Sequence, residues 1–253
     1  MKCIVLIPAR YESSRFPGKP LAKICGEEMI IRVCRQVAKT GIPLAVATDN
    51  DLIASRVREK GFEAVMTSSA HRSGTERIEE AYRNLNSDAE VVINVQGDEP
   101  FIDPAQILAL KEIFDTYDDT KIATLARPFD PSAGYEALDN PNLVKLVKSD
   151  EDKALYFSRS VIPYIRNVEK EDWPVNHQYF SHIGIYAYRA DVLKRIVALP
   201  ETSLEKAESL EQLRWLQHGI SVRVGVSDVQ TIGIDTPADL EEAEAYLRAQ
   251  GKA

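Results

Sequence analysis

Residues 7–21 read IPARYESSRFPGKPL, and Arg10, Arg15 and Lys19 fall in this stretch with Ser13 and Ser14 between them. Pro8, Pro17, Gly18 and Pro20 interrupt helix and sheet alike, so a loop is expected. It follows the apolar run 3–7, which reads as a fully buried first strand. Cations and hydroxyls gathered at the carboxyl end of a first strand suit a polyphosphate. A solvated loop that happens to be basic is the competing explanation. In a chain of net charge -8 the local positive excess favours phosphate.

Two further stretches carry chemistry. In NVQGDEP, residues 94–100, Gly97 lets the backbone turn and Asp98 and Glu99 then project from a strand's carboxyl end. Asp103 before Pro104 makes the better helix cap, which leaves Asp98 free to be a Mg²⁺ ligand. Mg²⁺ is usually held by one or two carboxylates plus substrate phosphates. Asp235 is the natural partner, because Thr236 before Pro237 can cap the last helix; a plain turn role explains Asp235 equally well. In HRSGTER, residues 71–77, a helix start offers amide donors and a positive dipole to an anion or a base edge. A capping box accounts for Ser73 and Glu76. Gly74, a poor helix former, reads as room for a flat ligand. Downstream, Arg159, His182, Tyr186, Glu211 and Gln212 are polar residues in apolar patterns. By type alone, outward strand positions for His182 and Tyr186 and a solvated helix face for Glu211 serve as well. Lys19 and Arg159 are expected to be solvated and dispensable for folding.

The elements that must hold these residues alternate through the first half. Helical stripes are expected over 29–39, 51–60 and 73–85, with Gly41 and Gly61 ending the first two and Asp49 or Asn50 capping the second. Buried strands are expected at 44–47, 63–66 and 91–95. Such β-α-β units give a mostly parallel sheet with helices on both faces and ligands at the strands' carboxyl ends. Between about 127 and 173 the rhythm breaks into short strands at 143–148 and 154–157, followed by an alternating strand over 181–189. An inserted antiparallel lobe is expected there, within a single domain. A strong helix over 204–218, a strand at 222–226 and a last helix to about 249 complete the pattern.

Composition narrows the class. With 253 residues, 44% hydrophobic and 28% charged, the chain can bury a core and is neither disordered nor membrane-spanning. A strand begins almost at once, leaving no room for a signal peptide. Cys3, Cys25 and Cys34 lack metal or disulfide spacing and read as buried or half-buried thiols of a reducing compartment. A cytoplasmic protein is expected, and without a basic stripe nucleic acid is not a partner.

Taken together, ARYESSRFPGKPL, ATDN, HRSGTER, NVQGDEP, ALYFSR, HIGIYAYR, SLEQLR and GIDTP resemble, in the same order, the signature segments of the 3-deoxy-manno-octulosonate (Kdo) cytidylyltransferases. The likeness spans essentially the whole chain. It implies an α/β fold of the nucleotide-diphospho-sugar transferase type: a Rossmann-like, mostly parallel sheet flanked by helices. It also implies one domain over 1–253, with an inserted dimerisation lobe at about 127–190. The implied reaction joins CMP from CTP to the anomeric hydroxyl of Kdo, releasing pyrophosphate, with Mg²⁺ as cofactor. It activates Kdo for lipopolysaccharide biosynthesis in a homodimer. By match of motif, Arg10, Ser14 and Lys19 hold the triphosphate with support from Arg15, and Ser73, Gly74 and Arg77 sit at the cytidine. Asp98 and Asp235 bind Mg²⁺ and complete a catalytic set with Arg10 and Lys19. Gln96, Arg159, His182, Tyr186, Glu211 and Gln212 line the sugar-acid pocket. The alternatives are the same chemistry on 8-amino-Kdo or a sialate-like acid, and a non-catalytic nucleotide-binding module. Two carboxylates beside Lys19 argue against a mere binder.

Overall fold

A computed structural model describes residues 1–12, 16–229, 233–234 and 236–249. The chain divides into two compact units, residues 1–111 with 230–253, and residues 112–229.

In the first unit, β1 (Cys3–Ala9) leads through a short 3₁₀ turn and the small hairpin β2 (Lys23–Ile24) and β3 (Glu27–Glu28) to α1 (Met29–Ala38). There follow β4 (Leu44–Thr48), α2 (Asp51–Glu59), β5 (Glu63–Met66), α3 (Gly74–Asn84), β6 (Val91–Asn94) and α4 (Pro104–Thr116), and α10 (Pro237–Ala249) returns at the end. The boundary between units falls within α4. The strands lie in the order β6-β1-β4-β5, all parallel. From β1 the chain steps outward to β4 and β5, then returns to the other side of β1 at β6. Right-handed crossovers therefore put α3 on the face opposite α1 and α2. The strand order reverses between β1 and β6, which is where open α/β sheets bind ligands. Asn50 caps α2, accepting from the Leu52 and Ile53 amides. Thr236 and Asp239 exchange bonds at the start of α10. α10 packs Ala243 and Leu247 on Ile24, Met29 and Ile234.

The strand β1 runs on through Pro8 and Ala9, past the expected end. Leu6 O accepts from Val95 N at 3.2 Å, so even-numbered residues of β1 face β6. The missing Pro8 N–H thus points beyond the last β1–β6 pair, Leu6 with Asn94, and no ladder bond is lost. Past that pair the strands still touch: a Cβ on Gly97 would lie 2.7 Å from Pro8 O.

The second unit holds β7 (Ile122–Pro128), α5 (Gly134–Asp139), β8 (Lys145–Lys148), β9 (Ala154–Ser158), α6 (Trp173–Asn176), β10 (Phe180–Arg189), α7 (Ala190–Val197), α8 (Ser203–Glu208), α9 (Gln212–Gln217) and β11 (Val222–Val226). β11 pairs parallel with β7, whereas β10 is antiparallel to β7 and β8, and β8 to β9. The expected lobe at 127–190 lies within this unit, around a core of Phe129, Leu138, Trp173 and Tyr179. The helix expected over 204–218 is instead two short helices. Ser209, at φ 52° and ψ 49°, turns the chain left-handed between them. Arg214 on α9 pairs across the break with Glu205 on α8, Nε to Oε2 at 2.8 Å.

Gly97→Ala should destabilise the protein by about 1–3 kcal/mol, because the Pro8 carbonyl is backbone and cannot swing aside. Urea unfolding measures this, and an unchanged midpoint would contradict the close approach.

Candidate active site

Four stretches of the first unit meet in one cleft. The end of β1 brings Pro8, Ala9 and Arg10, the 3₁₀ turn brings Lys19 and Pro20, and the turn after β6 brings Gln96, Gly97 and Asp98. The approach to α3 brings His71, Arg72, Ser73, Gly74 and Arg77. The loop after β1 is closed at its neck by Gly18 N donating to Tyr11 O at 2.9 Å. Gly18 is left-handed, at φ 71°, as that turn requires.

Lys19 Nζ lies 2.6 Å from Asp98 Oδ2 and donates to Ile234 O at 2.9 Å. The expectation of a solvated Lys19 is corrected here: its side chain is only 14% exposed. Asp98 is not a helix cap, for Asp103 accepts from Ala105 N and caps α4. Ile234 N donates to Asp98 O at 3.1 Å, so the chain just before residue 235 is tied to the Asp98 turn. Ser14, Arg15 and Asp235 themselves lie outside the described residues.

At the start of α3, Ser73 accepts from Glu76 N at 3.2 Å, and Glu76 reaches back to Arg72 N at 2.8 Å. His71 is held by the Glu80 carboxylate. Gly74 has a packing reason: a Cβ there would meet Pro8 Cγ at 3.1 Å. Arg77 lines the cleft but is otherwise buried. It donates to Thr67 Oγ1 and Asp49 Oδ2, both at 2.8 Å, and to Ser68 O at 3.3 Å. Asp49, one of two expected caps of α2, leaves that place to Asn50 and instead holds Arg77 at the cleft wall, a role sequence reasoning missed.

The other candidates except Gln96 belong to the second unit. His182 and Tyr186 lie together on β10, ring centroids 5.3 Å apart, and Tyr186 stands edge-on to Trp215 at 5.1 Å. An outward, half-exposed position for Tyr186 is thereby excluded: it is 8% exposed. Burial first, then Tyr188 and Glu211, hold its phenol protonated well above the ordinary range. The Thr124 hydroxyl beside it acts more weakly in the opposite sense. The His182 ring, edge-on to Phe157, is pushed by burial down to about 3 and is neutral. Its Nε2 lies 3.0 Å from Thr124 Oγ1, whose hydroxyl donates to the Ile185 carbonyl at 2.8 Å. That hydroxyl has one proton, and the carbonyl, at the bulge of β10, can only accept it. Nε2–H therefore donates to Thr124, and Nδ1 is left as an acceptor. Thr124, too, was missed, since only the β7–β10 register reveals it.

Arg159, just past β9, is half-exposed, with its guanidinium tied to main-chain carbonyls. Nε donates to Glu208 O at 2.6 Å and Nη1 to Pro141 O at 3.0 Å. Glu211 is the residue before α9, and Gln212, 5% exposed, is its first.

Residues 4–223 match the family described as Cytidylyltransferase, so the fold is that of a cytidylyltransferase. The 3-deoxy-manno-octulosonate cytidylyltransferase of Phocaeicola vulgatus is 55% identical over 98% of this chain and 98% of its own. That of Bacteroides thetaiotaomicron is 52% identical over 98% and 99%. A solved CMP:2-keto-3-deoxy-manno-octonic acid synthetase complexed with CTP superposes with a TM-score of 0.89. It is 40% identical and covers 99% of this chain and 100% of its own. The chain belongs to the 3-deoxy-manno-octulosonate cytidylyltransferases.

Glu99, beside Asp98, has its Oε2 buried without a partner among the described residues. Burial, and then the Asp98 charge, raise its pKa from 4.5 to about 7. Between these values the folded protein holds a proton that the unfolded chain has lost. Stability contributed by this group is therefore full below pH 4.5, falls as pH rises to 7, and is level above. Glu99→Gln should remove that slope, raising the melting temperature at pH 8 by an amount worth about 1–3 kcal/mol and leaving it unchanged at pH 4. An equal shift at both pH values would contradict the assignment.

Proposed function

We infer that this chain transfers CMP from CTP to the anomeric hydroxyl of Kdo, releasing pyrophosphate. The observation that carries this is the cleft at the β1–β6 switch point. There Arg10, Lys19 and the start of α3 stand around Asp98, within a chain of this family. The anomeric oxygen forms a bond to the α-phosphorus as the bond to the β-phosphate oxygen breaks, and the hydroxyl proton is lost. Two anions must be brought together, so catalysis is chiefly positioning and charge neutralisation. Arg10 and Lys19, with Ser14 and Arg15, hold the triphosphate and offset charge on the departing pyrophosphate. Ser73 and Gly74 meet the cytosine edge, and Arg77 braces that wall through Asp49.

Asp98 and Asp235 would hold Mg²⁺. Asp98 fits, as a carboxylate 37% exposed that caps no helix, and Ile234 ties the chain next to Asp235 against it. When bound, the ion would supply positive charge at the α-phosphate and acidify the attacking hydroxyl. Among the described residues no group of three acidic, His or Cys side chains gathers for a metal; a Mg²⁺ completed by phosphate oxygens requires none.

On the sugar side, Arg159 answers the carboxylate, and Gln96, His182 Nδ1, Tyr186 Oη, Glu211 and Gln212 answer the hydroxyls. His182, neutral with a low pKa, orients rather than takes a proton. We place the enzyme in the cytoplasm as a step toward lipopolysaccharide. No described helix is long and apolar enough to cross a membrane.

Pyrophosphate release measured with four nucleoside triphosphates and a panel of sugar acids, with and without EDTA, tests this function. Activity should require CTP, Kdo and a divalent cation. Asp98→Asn should lower kcat at least about a hundredfold, the scale of one lost transition-state contact, while calorimetric CTP binding falls only modestly. Full activity in this variant, or equal rates with UTP, would overturn the placement.

A homodimer formed through the second unit is supported by Leu155, Tyr164 and Val175, which are 62%, 72% and 70% exposed. Light scattering at micromolar concentration should give twice the chain mass; a monomer would refute this.

A further inference from the structure

Arg159 is gripped at both ends by one residue, Glu208, the last of α8. The Glu208 carboxylate accepts from Ser158 Oγ at 2.7 Å and from the Arg159 main-chain N–H at 2.8 Å. The Glu208 carbonyl accepts from Arg159 Nε at 2.6 Å. Nη1 donates to Pro141 O at 3.0 Å and Nη2 to Ser209 O at 3.5 Å. Beneath, the buried Lys145 donates to the Arg159 carbonyl at 2.6 Å and to Asn140 O at 3.0 Å.

These contacts explain why 204–218 is not one helix. In an unbroken helix the Glu208 and Ser209 carbonyls would accept from amides four residues on. The left-handed Ser209 ends α8 early and leaves those carbonyls in need of donors. The Arg159 guanidinium supplies them. All its partners are neutral carbonyls, and among the described residues it makes no ion pair with a carboxylate. Of the five N–H donors of a guanidinium, one remains on each terminal nitrogen, enough for a two-pronged bond to a carboxylate. The group is thus fixed in place with its charge unanswered.

We propose that Glu208 is a positioning residue for the sugar acid: by clamping main chain and side chain of Arg159 together, it fixes the guanidinium that receives the substrate carboxylate. This rests on the assignment of Arg159 to the sugar acid. Glu208 does not itself touch substrate, and its effect passes through Arg159.

The test compares Glu208→Ala, Glu208→Gln, Arg159→Met and the double variant Glu208→Ala with Arg159→Met. KM for Kdo, kcat, calorimetric CTP binding and melting temperature are read for each. Glu208→Ala should raise KM for Kdo about tenfold or more, the scale of a displaced charged hydrogen bond, with kcat and CTP affinity nearly unchanged. Gln can still accept from Arg159 N and donate to Ser158, so Glu208→Gln should restore most of the affinity. The double variant should be no worse than Arg159→Met alone, because the two act as a unit. Ser158→Ala should shift KM the same way in smaller measure, and decides the matter should Glu208→Ala fail to fold. A raised KM in Arg159→Met but an unchanged one in Glu208→Ala, or additive effects in the double variant, would overturn the role of Glu208 alone. An unchanged KM in Arg159→Met would overturn the assignment of Arg159 and this inference with it.

Discussion

One ammonium group joins three stretches of the first unit that are far apart in sequence. Lys19 Nζ bonds the Asp98 carboxylate and the Ile234 carbonyl, so the loop after β1, the turn after β6 and the segment before α10 are held at one point. A cation with a side chain 14% exposed cannot leave its donors unpaired without cost. Where the strand order reverses between β1 and β6, a crevice opens beyond their carboxyl ends. Lys19 ties its rim, and Gly97 against Pro8 closes its floor. The same knot sets the cation proposed for the triphosphate and the carboxylate proposed for the metal side by side. The cost of organising them is thereby met in folding and not at the moment of reaction.

The first unit was largely legible in the sequence because its elements are local and periodic. β5 occupies the expected residues, and α1, α2, β4 and β6 differ by a residue or so at their ends. Its site was legible for the same reason: in a parallel sheet, ligand residues follow the strands directly, and the motifs stood where those strands end. What escaped depends on contacts between distant residues. The broken helix at Ser209 has helical periodicity on both sides, and only the carboxylate of Glu208, drawn to Ser158 and Arg159, shows why it stops. Pro8 reads as a strand breaker unless one knows that its missing donor faces past the last pair with β6. Gly74 reads as ligand room until Pro8 is found against it. Asp49 and Thr124 have ordinary surroundings in the chain, and their partners, Arg77 and His182, lie 28 and 58 residues away.

The two units treat charge differently, as the proposed division of the two substrates would require. Around the cleft of the first unit stand Arg10, Lys19, Arg72 and Arg77, several of them braced by carboxylates, as a triphosphate of high charge requires. In the second unit the candidates are mostly neutral. The His182 imidazole is uncharged, the Tyr186 phenol stays protonated, and both lie in an aromatic cluster with Tyr188 and Trp215. As the proposed sugar side, such a surface would discriminate hydroxyl arrangement, because a buried donor or acceptor left without its partner penalises the wrong sugar. Fixing Nε2–H on Thr124 makes His182 an acceptor of known direction, a property that a protonated or freely tautomerising ring would lack.

Among the candidates of the second unit Arg159 is the cation. The carboxylate of a sugar acid is what separates this substrate from a neutral sugar, and on the proposed assignment Arg159 would offer it a charge already oriented by carbonyls. Lysine at that place could carry the charge but not the fork, and its three donors would have no fixed plane. The left-handed Ser209 and the early end of α8 are the local expense of this arrangement. Their strain, of order 1 kcal/mol for a residue held in that region, is set against hydrogen bonds that would otherwise be orphaned at a helix end. The break in the helix and the orientation of the guanidinium are therefore coupled: the carbonyls that the one frees are taken up by the other.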